Sequence, residues 1–163
     1  MARTLTIDAT TEKNKVTGAE PVWILEVRWD SPTGTVYYSK EALTVPQTTE
    51  GRVVSFGELE VQAVPGKANS QATVGITLED TDLTIKALME TQPGVQNKIA
   101  YVHLWFRGTG WADRVTIFGG ILTTPLQFDA HRGVWTITAR GFEHFYNTDI
   151  GYLLTRQDFP EVS

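Results

Sequence analysis

The sequence contains no cysteine among its 163 residues. Disulfides, thiolate nucleophiles and thiolate metal sites are therefore excluded. No run of roughly 18 or more apolar residues is present, and the opening residues, MARTLTIDATTEKNK, lack the apolar stretch of a signal peptide. We therefore expect a soluble protein that is made in the cytoplasm.

The chain also lacks an excess of basic residues, with 14 Lys and Arg against 19 Asp and Glu and a formal net charge of −5. This balance argues against nucleic-acid binding, because that affinity rests on Lys and Arg neutralising phosphates. The hydrophobic fraction of 41% and the charged fraction of 20% are ordinary for a globular protein. A chain of this length is sufficient for one domain.

Catalytic motifs are missing as well. The sequence has no G-x-S-x-G, and His103, His131 and His144 lack the i,i+4 or H-x-H spacing that suits a metal. Neither Gly108–Gly110 nor Gly119–Gly120 leads into a helix, as a phosphate-binding loop requires. We expect no enzyme, no cofactor and no metal. A buried His–carboxylate pair within one pocket would reopen the question.

Strand patterns dominate what is present. Gln71–Glu79 alternates strictly, so that Ala72, Val74, Ile76 and Leu78 share one face. Further strands are predicted by similar patterns bounded by turn residues, over 22–29, 35–39, 52–64, 99–107, 114–122, 126–128 and 134–140. The segment 41–51 is predicted to be a loop. We predict a mainly β fold, an antiparallel sandwich or small barrel with one short inserted helix and a C-terminal helix.

Two features of this pattern concern helices. The inserted helix begins after Asp80-Thr81-Asp82, whose carboxylates suit a helix N-terminus, and closes at Pro93-Gly94. With Glu79 these carboxylates are also a candidate calcium cluster, but the glycine-containing calcium loop is absent, so capping is favoured. The C-terminal helix is predicted over 142–154, with apolar positions Phe142, Phe145, Tyr146, Ile150 and Leu153.

Glycine and proline mark irregularities within the strands. The pair Gly119-Gly120 lies inside a strand pattern, which indicates a sharp bend or a close backbone approach. Gly57 is predicted to mark a bulge or bend in the long strand, and Pro125 to interrupt the strand that follows the glycine pair.

The aromatic residues are the remaining candidates for a functional surface. The segment 99–106 is apolar on both faces, so both faces must be covered, either by the two helices or by another subunit. We favour the helices for part of this cover. Trp111, in a turn flanked by glycine, is predicted to be the most exposed aromatic residue and a binding anchor, either for a protein or for a sugar ring. The candidate interface comprises Tyr101, His103, Trp105, Trp111, Phe142 and Phe145.

The order of these segments resembles a known family. It runs from YYSKEAL through LEVQAVPGKANSQATVGITLEDTDLTIKALMET and AYVHLWFRG to VTIFGGILTTPLQFDAHRGVWTITARG. This succession is similar to the N-terminal region of tail hub proteins from tailed bacteriophages, whose relatives occur in gene-transfer agents and contractile injection systems. The likeness covers residues 20–163 and is one of pattern. The ending GYLLTRQDFPEVS resembles the passage where such chains enter their next domain.

The resemblance implies a structural role. It implies a ring-forming β-domain of a phage tail tip or baseplate, which joins the tail tube or distal tail ring to the central spike or fibres. The partners would be further copies and other tail proteins, the location the virion tail, and no catalytic residues carry over. Residues 1–19 are then expected to form a flexible arm or edge strand, and 20–163 one hub-like domain. Hub proteins are longer, so the chain is either a fragment or a shorter tail component.

Two other functions compete with this one. The first is a carbohydrate-binding β-sandwich that presents Trp111 with Trp105 or Tyr101 as neighbours. The second is an enzyme whose site escapes motif analysis. A ring measured by light scattering favours the tail component, and binding to a glycan array by a stable monomer favours the carbohydrate module.

Overall fold

A computed structural model describes residues 21–44, 47–63, 70–92 and 94–142. Eight strands, one α-helix and two short 3-10 turns are present in these ranges. The strands are β1 (Pro21–Arg28), β2 (Thr35–Ser39), β3 (Glu50–Gly51), β4 (Val53–Ala63), β5 (Ser70–Glu79), β6 (Ile99–Phe106), β7 (Val115–Asp129) and β8 (Val134–Gly141); the helix is α1 (Thr84–Thr91), and the 3-10 turns are Val95–Asn97 and Trp111–Asp113. None of the described helices is both long and apolar enough to span a membrane.

All eight strands belong to one sheet, in the order β3-β2-β1-β6-β7-β8-β5-β4. Neighbouring strands are antiparallel except β2 and β3, which are parallel. The two edge strands, β3 and β4, are separated in the chain by Arg52 alone. The sheet must therefore curl until its edges approach each other, which gives an unclosed, barrel-like sheet. The predicted mainly β fold is confirmed.

The concave face of this sheet holds the hydrophobic core. Leu25 of β1 lies opposite Tyr38 of β2 and Val102 of β6, and all three are almost fully buried. The helix α1 contributes Ile85 and Met89 to the same core. The other members are Val27, Trp29, Val53, Val74, Ile76, Leu78, Val95, Ala100, Phe118, Leu122, Ile137 and Ala139. Without tertiary contacts, a helix of eight residues would be marginal in water, so burial of these two side chains holds it in place.

The carboxylate of Asp80 caps the helix, as predicted. It is fully buried and accepts hydrogen bonds from the backbone N–H groups of Ile85 and Lys86, each at 2.8 Å. The indole Nε1–H of Trp135 donates to the same carboxylate at 2.9 Å. Leu83, immediately before the helix, has a φ of 58°, a left-handed conformation that is costly for a leucine. The caps at Asp80 satisfy the helix start and thereby stabilise this turn.

The close backbone approach predicted at Gly119-Gly120 is confirmed. A Cβ atom at Gly120 would lie 2.0 Å from the carbonyl oxygen of Arg140 on β8, and one at Gly119 would lie 3.0 Å from the ring of Tyr101. Glycine at position 120 is therefore required for the pairing of β7 with β8, and glycine at position 119 lets the Tyr101 ring pack close against β7. The irregularity predicted at Gly57 is confirmed too, by a register shift between Phe56 and Leu59.

Two predictions about strand boundaries are wrong. Pro125 does not end a strand, because β7 runs without a break from Val115 to Asp129. The strand instead shifts register against β8 between Thr123 and Gln127, which removes the need for an N–H donor at the proline. The predicted loop 41–51 also contains β3, whose two residues pair with β2. The predicted C-terminal helix, Phe145 and the arm 1–19 lie outside the described residues.

Candidate functional site: a polar and aromatic cluster on the outer face

The convex face of β2, β1 and β6 carries an unusual set of side chains. Glu26 on β1 lies opposite Tyr37 on β2 and Tyr101 on β6, and His103 lies one pair further along β6. Because residues that face each other on neighbouring strands project to the same side, these side chains meet on one face. We call the following set the outer cluster: Glu26, Arg28, Tyr37, Tyr101, His103, Trp111, Arg114 and Phe142.

A polar network around the buried carboxylate of Glu26 lies at the centre of the outer cluster. Only 3% of the Glu26 surface is exposed. The Arg28 Nε–H donates to one carboxylate oxygen at 2.8 Å, and His103 Nε2 lies 3.0 Å from the other. His103 Nδ1 lies 3.0 Å from the Thr116 hydroxyl. A buried carboxylate is tolerated because each of its oxygens has a donor.

The pKa values of this network follow from burial and hydrogen bonding. Burial raises the pKa of Glu26, but the hydrogen bonds from Arg28 and His103 outweigh that effect and hold the pKa below its ordinary value. Burial lowers the pKa of His103, and the nearby Glu26 carboxylate only partly opposes this. Near pH 7 the pair is therefore a carboxylate and a neutral imidazole. In that state Nε2–H donates to Glu26 and Nδ1 accepts from Thr116.

Aromatic rings surround the network. The Tyr101 ring stacks on His103 with centroids 6.0 Å apart, and Trp111 meets His103 edge-on at 6.1 Å. Tyr37 packs edge-on against Trp111 at 5.3 Å, and Phe142 contacts Tyr101 at 6.0 Å. Edge-on and stacked rings at these distances are favourable contacts, so the aromatic groups hold one another in place.

Two guanidinium groups lie over these rings. Arg28 lies over Tyr101 at 4.8 Å from the ring centroid, and Arg114 lies over Trp111 at 4.5 Å. The Arg114 Nη1–H group also donates to the Trp111 carbonyl at 3.0 Å. Cation–π contacts of this kind cover aromatic faces that would otherwise meet water.

The cover on this face of β6 comes from the β6–β7 loop, residues 107–114. The indole of Trp105 donates to the carbonyl of Thr109 in this loop at 3.2 Å, and Trp111 returns over His103. Trp105 is consequently only 4% exposed and His103 only 3%. Among the described residues this cover is the loop with its 3-10 turn Trp111–Asp113, whereas α1 packs on the core face. The predicted C-terminal helix lies outside the described residues, so its share of the cover stays a prediction.

The predicted interface residues have different outcomes. Tyr101, His103, Trp111 and Phe142 come together in the outer cluster, whereas Trp105 is buried beneath the loop. Trp111 is half-buried, so the prediction that it is the most exposed aromatic residue is wrong; Trp23, at 44% exposed, is more accessible. The Arg114 guanidinium lies over the Trp111 ring, on the kind of surface where a sugar ring would stack. Sequence reasoning missed Glu26, Arg28, Tyr37 and Arg114 as members.

The Glu26–His103 pair is the arrangement that would reopen an enzymatic function, and its geometry is that of a closed structural network. Both ring nitrogens of His103 and both oxygens of Glu26 have protein partners. Neither residue lines the cleft between β1 and β4 or the cleft beside the β7–β8 hairpin. Within the described ranges, no three His, Asp or Glu side chains are grouped so that they could hold a metal ion.

Comparison with known proteins supports the class of fold. No protein-family model matches the chain, and no curated protein matches it in sequence. Among solved structures, the fold is similar to a chain in the virion of a native gene transfer agent (GTA) particle, with a TM-score of 0.62 and 15% sequence identity. The similarity covers 88% of this chain and 47% of that one, so this chain spans about half the length of its structural neighbour.

Proposed function

We propose that this chain is a structural component of a phage tail tip or baseplate. In this role it is a hub-like, ring-forming β-domain that links the tail tube or distal tail ring to the central spike or fibres. The observation that carries the proposal is the fold similarity to a chain of a GTA virion over 88% of the present sequence. The order of sequence segments resembles tail hub proteins independently of that comparison.

The character of the outer cluster supports a structural role. All side-chain polar atoms of its buried Glu26 and His103 have protein partners, and its aromatic side chains hold one another rather than line an open cleft. A rigid surface of this kind suits a permanent contact between subunits, in which binding orders few additional side chains. Tyr101, Trp111 and Phe142 are half-buried in the isolated chain, which leaves part of each ring for a neighbouring copy to cover.

The proposed partners are further copies of this chain and other tail proteins, and the proposed location is the tail of the virion. Closed rings require that one patch of each copy contacts a different patch of the next. The net charge of −5 is compatible with a ring through which DNA passes without sticking.

Two measurements test the proposal. Gold-labelled antibody against this chain, viewed by electron microscopy on purified particles, is expected at the tail end. Label on the capsid, or particles without label, would contradict the proposal. Light scattering on the purified full chain, or on the chain with its tail partners, is expected to give the mass of a closed ring.

A matched pair of variants locates the contact surface. Ala112→Arg places a bulky charge on the exposed surface beside Trp111, and Ala87→Arg places the same charge on the exposed surface of α1. We expect Ala112→Arg to reduce ring formation and Ala87→Arg to leave it unchanged. Equal effects of both variants would show that the outer cluster is not the contact between copies.

A further inference from the structure

The seam where the sheet fails to close forms a cleft lined by apolar side chains of β1 and β4 and by the charged side chains of Lys40, Glu41 and Arg107. It has a volume of about 310 Å³ and lies between the first residues of β1 and the first residues of β4. Trp23 lies against Phe56 with ring centroids 5.7 Å apart, yet it remains 44% exposed, and Val54 is 52% exposed. Large apolar side chains grouped around a cleft are typical of a binding surface rather than of a solvated face.

The cleft adjoins a free strand edge. Among the described residues, β4 pairs only with β5, so the other edge of this eleven-residue strand has no partner strand. Leu59, further along β4, is 43% exposed. A long edge strand with exposed apolar side chains is a template for pairing with an additional strand.

The chain itself contains a segment of matching chemistry. Residues 1–20 precede Pro21, and Pro21 lines the cleft. Within this segment Thr4-Leu5-Thr6-Ile7 alternates polar and apolar residues, so that a strand would place Leu5 and Ile7 on one face. We infer that residues 4–7 of the same chain add to the free edge of β4 and place Leu5 and Ile7 against the seam cleft.

The length of the connecting segment permits this docking. Residues 8–20 form a thirteen-residue connection between Ile7 and Pro21, which spans up to roughly 45 Å when extended. The whole of β4 is only about 36 Å long at the usual rise per residue. Because Pro21 is already at the cleft, the tether holds the segment near β4 at an effective concentration of roughly millimolar. The same chain is therefore the favoured source of the strand.

Hydrogen exchange on the full-length chain tests the pairing. Leu5→Asp with Ile7→Asp is expected to speed exchange in peptides covering 53–59 by about tenfold or more, because edge hydrogen bonds are lost. Thr4→Asp with Thr6→Asp introduces the same charges on the opposite face and is expected to exchange like the parent chain. Peptides from β6 and β8 report whether the fold is intact. An equal response to both variant pairs, or no response, would overturn the inference.

The absence of cysteine allows a second test that identifies the source of the strand. Four double-cysteine variants are oxidised and run on a non-reducing gel. Each combines Ser55→Cys with one of Thr4→Cys, Leu5→Cys, Thr6→Cys or Ile7→Cys. We expect disulfide-linked monomers for alternate positions only, as cross-strand pairing requires. Disulfide-linked dimers would show that a second copy supplies the strand, and the absence of alternation would show that no strand is added; either result overturns the inference.

Discussion

Replacement of Gly120 by alanine should break the junction between β7 and β8. The new Cβ would lie 2.0 Å from the Arg140 carbonyl oxygen and 2.9 Å from the Gly141 Cα, and both of these are backbone atoms. No rotamer change can relieve such a clash, so the two strands must separate at the point where Gly120 pairs with Gly141.

The cost follows from what this separation removes. Overpacking of a well-packed region costs about 1–3 kcal/mol, and each ladder hydrogen bond lost nearby costs about 0.5–1.5 kcal/mol. We therefore expect Gly120→Ala to lower the free energy of unfolding by about 2–5 kcal/mol. At this chain length the melting temperature should fall by at least about 4 °C.

Gly75 on β5 provides the matched control, because a Cβ there meets nothing within 4 Å. Gly75→Ala should change stability little or raise it by about 0.5–1 kcal/mol, as expected when a strand glycine is replaced without strain. Urea titration followed by circular dichroism measures both variants. If Gly120→Ala were as stable as Gly75→Ala, the steric reasoning about the β7–β8 junction would be refuted.

Two further predictions concern the buried polar groups. The pKa of His103 lies below its unfolded value of about 6.5, so the unfolded chain binds more protons in this range and stability should fall as the pH drops below that value. The slope approaches at most about 1.4 kcal/mol per pH unit. His103→Gln retains a donor for Glu26 and should flatten the profile below pH 6.5 in thermal melts; an unchanged slope would contradict this assignment. Asp80→Ala leaves one buried and two partly buried donors without their acceptor and should cost about 3 kcal/mol. Trp135→Phe removes only one donor and should cost clearly less; equal losses in urea titrations would show that the helix cap is not the dominant contribution.

Most of the fold could be predicted from local patterns. The alternation in Gln71–Glu79 and the turn residues between segments are sufficient to place the strands, because strand period and turn chemistry are local properties. The glycine pair at 119–120 is also informative from sequence, since glycine weakens a strand interior and is typical of positions where another backbone comes close. The two residues of β3 could not be predicted, because only their pairing with β2 defines them.

The candidate site was less accessible to sequence reasoning. Glu26 and His103 are 77 positions apart and meet only because β1 pairs with β6. Trp111 is partly covered by Arg114 and Tyr37. Trp23 lies at the open seam of the sheet, which leaves it exposed. Exposure is set by the tertiary arrangement, so the turn around Trp111 was a poor guide to it.

The pairing of β1 with β6 also sets the order in which this protein can fold. The β1–β2 hairpin leaves the ribosome early, but its second neighbour is translated only after β4, β5 and α1. Closing so long a loop has a larger entropic cost than forming a simple meander, so we expect a lower folding rate. Until β6 is translated, the edge of β1 that pairs with it has no strand partner, so this topology leaves an unpaired strand edge open to other chains during synthesis.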